Sequence, residues 1–294
     1  MMKVVLLGTG PPFPDPERGN MSEVVIVDNQ LVLFDCGERT TTNLMRAGID
    51  PVRVNHLFLT HHHWDHMSDY GYFCICTWNY GRRDTLHVYG PEGTREMSDH
   101  ILLGGHKTDV EFLRTFGKSL PSHIARKPVP EIPIEVQDLE DGESVGGDGW
   151  KVTVGLVEHL EGFPCFGYRI DSQQGSVAIS GDTQPCAGMI KLARNVDVLV
   201  HECSFLDEII SERKMKGHSG PTGAGRVAQE SGARKLVITH LRPFVGPPPV
   251  MEMATMYWGN NWIGEHIIAK IVTDIRKQYD GEIVIGRDCM EIPV

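Results

Sequence analysis

A two-sheet α/β sandwich covered by helices is the architecture this chain predicts. Its 294 residues, 40% of them hydrophobic, are enough to bury a large core. Short apolar runs rich in Val, Ile, Leu and Phe recur between Gly, Pro and Asp, the pattern of buried strands. Helical stretches fall between groups of these runs, so strands precede helices in two successive halves rather than alternating with them one for one. In chain order the first half offers "KVVLLG", "EVVIVD", "LVLFDCG" and "HLFLT", then "HVYG" and "IPIEV". The second offers "WKVTVGLV", "FGYRI", "SVAISGD", "VDVLVHE" and "KLVITH", with "GEIVIG" near the end. Helices are predicted over 40–48, 91–103, 186–194, 222–231 and 263–279. No short repeat interrupts this plan, and "VGPPPV" at 245–250 reads as a stiff surface loop.

Composition narrows the class of protein. A formal charge of −11 opposes nonspecific adhesion to nucleic acid or anionic membrane. Seven cysteines, an odd number with no CxxC pair, fit reduced thiols in a cytoplasm better than a disulfide framework. The opening "MMKVVLLGTG" lacks a basic leader region and a cleavage site and reads as a first strand. No window approaches the roughly 20 apolar residues that span a bilayer. A cytoplasmic protein without a membrane segment is expected.

The stretch "THHHWDH" at 60–66 sets four histidines and an aspartate behind the apolar run "VNHLFL". At a strand end or turn alternate residues share a side, so His61 and His63 converge while His62 points away, and Asp65 and His66 open the helix that follows. Bringing such groups together is unfavourable unless a divalent cation neutralises and orders them. A solvated histidine-rich loop is the plain alternative, and the HxHxDH spacing argues against it.

Four ligands within seven residues cannot close two coordination spheres, so further His or Asp is expected at other strand ends. His159 ends "KVTVGLVEH", Asp182 ends "SVAISGD" and His240 ends "KLVITH". Ligands gather at that edge in open α/β sheets. Mixed imidazole and carboxylate donors suit zinc, and with no thiolate to narrow the choice iron and manganese also fit. A water bridging two such ions loses its proton near neutral pH and becomes the nucleophile, while the ions stabilise charge on the attacked centre. Ser180, Ser204, Ser219 and Cys203 stand near these motifs, but no GxSxG elbow is present and a serine triad would leave the other candidate ligands without a role. His56, His87, His100, His106, His123 and His266 fall outside the pattern and read as surface or core residues.

Together with "GTGPPFP" (8–14), "LVLFDCGE" (31–38), "EHLEGFPCFGYRI" (158–170), "SGDT" (180–183), "HECSF" (201–205), "GHS" (217–219) and "THLRP" (239–243), these residues resemble the metallo-β-lactamase-fold hydrolases, most closely the ribonuclease Z and arylsulfatase-like branch. The resemblance covers nearly the whole chain, making 1–294 one hydrolase domain. It implies a four-layer αββα sandwich with two metals in a cleft at one edge of the sheets. It also implies that His61, His63 and His159 hold one metal, that Asp65, His66 and His240 hold the other, and that Asp182 bridges them. "HECSF" is similar to the HEAT stretch of ribonuclease Z, where the glutamate and a later histidine protonate the leaving group. Glu202 and His218 match that pair, and with Asp65 they form the implied catalytic set. Asp35, in the family's DxG turn, is placed either to hydrogen-bond a ligand histidine or to cap the helix at 40–48. A homodimer is implied by the resemblance alone.

One departure bears on the substrate. The familiar ribonuclease Z enzymes carry a glycine- and proline-rich tRNA-clamping arm after the strand matching "FGYRI", whereas here only "DSQQG" precedes "SVAISGD". The extra material at 104–133 and 244–262 is expected to wall the cleft instead. Met251, Met253, Met256, Tyr257, Trp258 and Trp262, with Trp64, Tyr72, Trp78 and Tyr80, are candidates for an apolar pocket, or for core or subunit interface. The complete ligand set points to hydrolysis rather than to a noncatalytic binding protein. The expected substrate is a phosphodiester or related small ester, with tRNA 3′-processing, arylsulfatase and lactonase activity as alternatives. The basic clusters "RKP" and "SERKMKGH" are short, so nucleic acid is not favoured.

Overall fold

The computed structural model describes residues 1–119, 131–241, 252 and 266–294. β1 (Met2–Gly8), β2 (Ser22–Val27) and β3 (Gln30–Phe34) form an antiparallel meander. β4 (His56–Phe58), β5 (Leu86–Gly90) and β6 (Ile134–Asp138) extend it in parallel, and β14 (Met290–Pro293) pairs on the far side of β1. In the second sheet β7 (Ser144–Gly147), β8 (Trp150–Leu160), β9 (Phe163–Ser172) and β10 (Gly175–Ile179) run antiparallel. β11 (Val198–Glu202), β12 (Lys235–Thr239) and β13 (Glu282–Ile285) continue that sheet in parallel.

Alternation along the strands builds the layers. Val4 and Leu6 of β1 face the space between the sheets, where they meet Phe34, Phe58, Val152, Tyr168, Val177 and Val200. Val5 and Leu7, one residue out of phase, face outward with Leu33 and Leu57. They are covered by Leu44 of α1 (Thr40–Arg46) and by Tyr70, Phe73 and Cys74 of α3 (Tyr70–Asn79), with the single turn α2 (Trp64–Met67) between those helices. On the second sheet Leu199, Leu236 and Ile238 pack under α6 (Ala187–Leu192), α8 (Pro221–Ser231) and α9 (His266–Ile275). Away from their edge strands both sheets are buried on both faces, so the fold is the expected αββα sandwich, and each fully buried Leu, Val or Phe contributes about 1.5–3 kcal/mol.

Several elements differ from expectation. α3 is helical although Tyr, Phe, Cys and Thr are poor helix formers, because Tyr70, Phe73, Cys74, Thr77 and Trp78 make one buried stripe at helical spacing. Trp78 is fully buried against Val110 and Leu113 of α5 (Lys107–Ser119), so of its expected places, pocket, core or interface, it takes the core. Tyr72 and Tyr80 are exposed. The 91–103 stretch forms α4 (Thr94–Asp99) followed by a π-helical turn at His100–Gly105, and α7 (Asp207–Arg213) and the edge strands β7 and β14 add to the expected elements. The remainder of 104–133 at 120–130, and Met251, Met253, Met256, Tyr257, Trp258 and Trp262, lie outside the described residues. Among the described residues no helix is long and apolar enough to cross a membrane.

Candidate metal centre

The ends of β4, β8, β10, β11 and β12 meet at one edge of the two sheets, and the candidate residues follow from them. After β4 the chain is tied to the turn at 35–37. Asp35 accepts from the Thr60 backbone N–H at 2.8 Å and from the Thr60 hydroxyl at 2.9 Å, and Cys36 donates its N–H to the His66 carbonyl at 2.7 Å. Gly37 makes this docking possible, since a Cβ there would lie 2.3 Å from the Asp65 carbonyl oxygen. Asp35 itself holds φ 55°, as does His240, two non-glycine residues in the left-handed region within one site.

Each of four histidines is held by Nδ1 from outside the centre. His66 Nδ1 lies 2.7 Å from Asp35 Oδ2, His61 Nδ1 2.9 Å from Thr60 Oγ, His159 Nδ1 2.8 Å from the Gly217 carbonyl, and His240 Nδ1 2.7 Å from Ser204 Oγ. Asp35 and the Gly217 carbonyl can only accept, and the Thr60 and Ser204 hydroxyls already donate to Asp35 and Glu202. A proton therefore sits on Nδ1 in all four rings, and their Nε2 atoms turn inward, the arrangement outer partners impose on metal-binding histidines.

Inward, the atoms form two groups around Asp182. Its Oδ1 lies 3.3 Å from His66 Nε2 and 3.5 Å from His240 Nε2. Its Oδ2 lies 4.0 Å from His61 Nε2 and 3.9 Å from His159 Nε2. Asp65 Oδ2 is 3.3 Å from His240 Nε2 and 3.8 Å from His66 Nε2, while His159 Nε2 and His63 Nδ1 are 3.2 Å apart. Ligands at zinc distances in a tetrahedron stand about 3.3 Å from one another. His61 Nε2, His66 Nε2 and Asp182 Oδ1 are buried without a hydrogen-bond partner. Such orphaned buried atoms are costly unless a cation satisfies them, so the donor set fits divalent metal. His61, His63, His159 and Asp182 form one group that can hold an ion, and Asp65, His66 and His240 another.

Electrostatics point the same way. Burial disfavours the His66 imidazolium, yet Asp182, Asp35 and Asp65 push its pKa well above the ordinary value. Burial likewise opposes ionisation of Asp182, but His240 and His66 hold its carboxyl well below the usual range. His61, lacking such excess negative charge, is driven well down by burial and then by His66.

Beside the centre Glu202 is fully buried and fully engaged. It accepts from the Thr183 N–H at 2.9 Å, the Ser204 N–H at 3.0 Å, the Ser204 hydroxyl and His218 Nδ1 at 2.9 Å. Burial raises its pKa, but His218, with help from His240, brings it below the ordinary value. His218 Nδ1 is 3.9 Å from Asp182 Oδ2, so the glutamate–histidine pair abuts the cluster. His62 points away to Thr94, as expected. Asp35 binds Thr60 and His66 and does not cap α1, whose first turn is capped instead by Asp69, which accepts from the Thr41 N–H at 2.6 Å. Thr60 and the Gly217 carbonyl are parts of the site that the motifs did not single out. Ser204, weighed in the sequence only as a nucleophile, instead donates to Glu202 and holds His240 Nδ1.

Residues 30–241 match the family described as a beta-lactamase superfamily domain. The chain is 32% identical over 256 residues to ribonuclease Z of Mycobacterium bovis (strain BCG / Pasteur 1173P2), a match spanning 84% of this chain and 88% of that protein. Its fold is similar to the metallo-beta-lactamase fold protein YhfI from Bacillus subtilis, with a TM-score of 0.72, 19% identity and coverage of 99% and 98%. It is also similar to the short form of human tRNase Z, with a TM-score of 0.68, 22% identity and coverage of 99% and 98%. A family match over more than half of the chain settles its kinship: the protein belongs to the metallo-β-lactamase superfamily, is ribonuclease Z-like within it, and is a metal-dependent hydrolase.

Proposed function

We propose that His61, His63, His159, Asp65, His66 and His240, with Asp182 shared between them, hold two divalent cations, zinc by default, and that the chain hydrolyses a phosphodiester or related small ester. The observation that carries this reading is the division of Asp182, with Oδ1 turned to His66 and His240 and Oδ2 to His61 and His159. Two ions held there would acidify a water and neutralise charge on the attacked ester.

The remaining steps belong to side chains. His218, its Nδ1 held by Glu202, keeps Nε2 as the atom that delivers a proton to the leaving alkoxide. Glu202, fixed by Thr183 and Ser204, stabilises the imidazolium before transfer and sets the ring's orientation. The relatives named ribonuclease Z favour a second reading, in which the diester belongs to a tRNA precursor. Against it, β9 and β10 are joined by a tight hairpin with Ser172 opposite Gly175, which leaves no room for a clamping arm there.

Zinc-reconstituted protein assayed against bis-p-nitrophenyl phosphate, p-nitrophenyl sulfate, a lactone panel and a 3′-extended tRNA precursor tests the proposal. Cleavage of the phosphodiester with the precursor left intact is expected. Efficient, site-specific cleavage beside the discriminator base at physiological salt would replace the small-ester reading with the RNA reading.

A further inference from the structure

We propose that Trp64, with Leu160 and Phe163 at the tip of the β8–β9 hairpin, forms an apolar seat for a planar aryl group carried by the ester, and so sets substrate preference. This inference rests on the phosphodiesterase reading of the metal centre. Trp64 stands between His63 and Asp65 at the start of α2 and is 53% exposed. Leu160 directly follows His159 and lies opposite Phe163 in the hairpin register, and the two are 40% and 71% exposed. These segments meet at the centre, where the His63 and His159 rings are 5.0 Å apart. Three large apolar side chains therefore reach solvent from positions next to, or paired with the neighbour of, two members of one metal-binding group.

Exposed apolar surface concentrated at a site is the mark of a binding contact, and an aromatic ring adds a stacking preference for a flat partner. Charge selects the occupant further. The hairpin tip "VEHLEGFP" carries Glu158 and Glu161 and no cation, so it repels a run of phosphates and admits a neutral ring. Arg213, Lys214 and Lys216, by contrast, precede Gly217 and His218, so apolar surface and positive charge come from different segments. An anionic diester whose retained substituent is aryl matches that division, the leaving group being the one that meets His218.

The test uses zinc-loaded protein of measured metal content and two diesters with the same leaving group, phenyl p-nitrophenyl phosphate and methyl p-nitrophenyl phosphate. In Trp64→Ala or Phe163→Ala, kcat/KM for the phenyl ester should fall about tenfold, that for the methyl ester less than about twofold, and Trp64→Phe should restore most of the loss. Equal losses on both esters, or none on either, with zinc retained, would overturn the seat. Calorimetric titration with phenylphosphonate and methylphosphonate decides the matter without turnover. The wild type should bind the phenyl compound about tenfold more tightly and Trp64→Ala should bind both alike; equal affinities in the wild type overturn the proposal. Should the wild type hydrolyse neither ester, the phosphodiesterase reading fails, and the titration still judges the seat.

Discussion

The two ends of β4 carry histidines in opposite chemical settings. At its start His56 pairs with His87 on β5, the rings stacked at 5.4 Å, with Trp150 edge-on to His56 at 4.8 Å. Burial, then the neighbouring His87, lower the pKa of His56 to about 4, so it packs there as a neutral aromatic ring. Beyond the other end, in α2, His66 is fully buried where His56 is only partly so, yet Asp182, Asp35 and Asp65 push its pKa well upward. Clustered imidazole alone thus makes a packing element. Imidazole interleaved with buried carboxylates makes a centre that seeks cations.

Removing the shared carboxylate breaks this contrast most severely. Asp182→Asn should lower occupancy at both metal positions and cut turnover by more than about 10³-fold, since both groups lose a ligand and the water-activating charge with it. Elemental analysis beside an assay checks both halves; loss of a single ion would show that Asp182 serves one position only. His218→Ala acts later in the reaction. It should leave metal content intact and slow esters with poor, high-pKa leaving groups by roughly 10²-fold, with a smaller loss on nitrophenyl esters. An equal loss across a leaving-group series would remove His218 as the proton donor. Asp35→Asn sharpens the comparison from outside the cluster, because it weakens the hold on His66 without touching a ligand atom. Metal affinity should fall about 10- to 100-fold in a chelator competition, and unchanged affinity would reduce Asp35 to a turn former.

The smallest effect lies at the packing end. A folded-state pKa near 4, below the 6.5 of a free imidazole, means that the unfolded chain takes up the proton first. Stability is therefore lost as pH falls from 6.5 toward 4. His56→Phe removes that loss, so the drop in Tm of the metal-loaded protein between pH 7.5 and pH 5 should shrink by about 2 °C, with metal content and turnover unchanged. An identical drop in both proteins would show that His56 is not titrating as a partly buried neutral ring.

What the sequence revealed follows from where each signal is stored. The candidate ligands stood out because each ends a strand or opens a turn, as at His159, Asp182 and His240, and the structure brings them together where two sheets share one edge. The helix α3 was not, because its buried stripe from Tyr70 to Trp78 is written in residues that also favour strands. The strands β7, "SVGG", and β14, "MEIP", are short edges with little apolar content to announce them. Asp35 carried two readings, and only the tertiary contact with His66 chooses between them. Thr60, Ser204 and the Gly217 carbonyl act through partners far away in sequence, and the left-handed backbone at Asp35 and His240 is imposed by packing, so no local pattern encodes either.

The central claim is that one carboxylate joins two cation positions, and metal stoichiometry tests it most directly. Purified protein stripped with chelator, reconstituted with excess zinc and desalted should contain two zinc ions per chain by elemental analysis. One ion per chain, or none, would contradict the dinuclear centre.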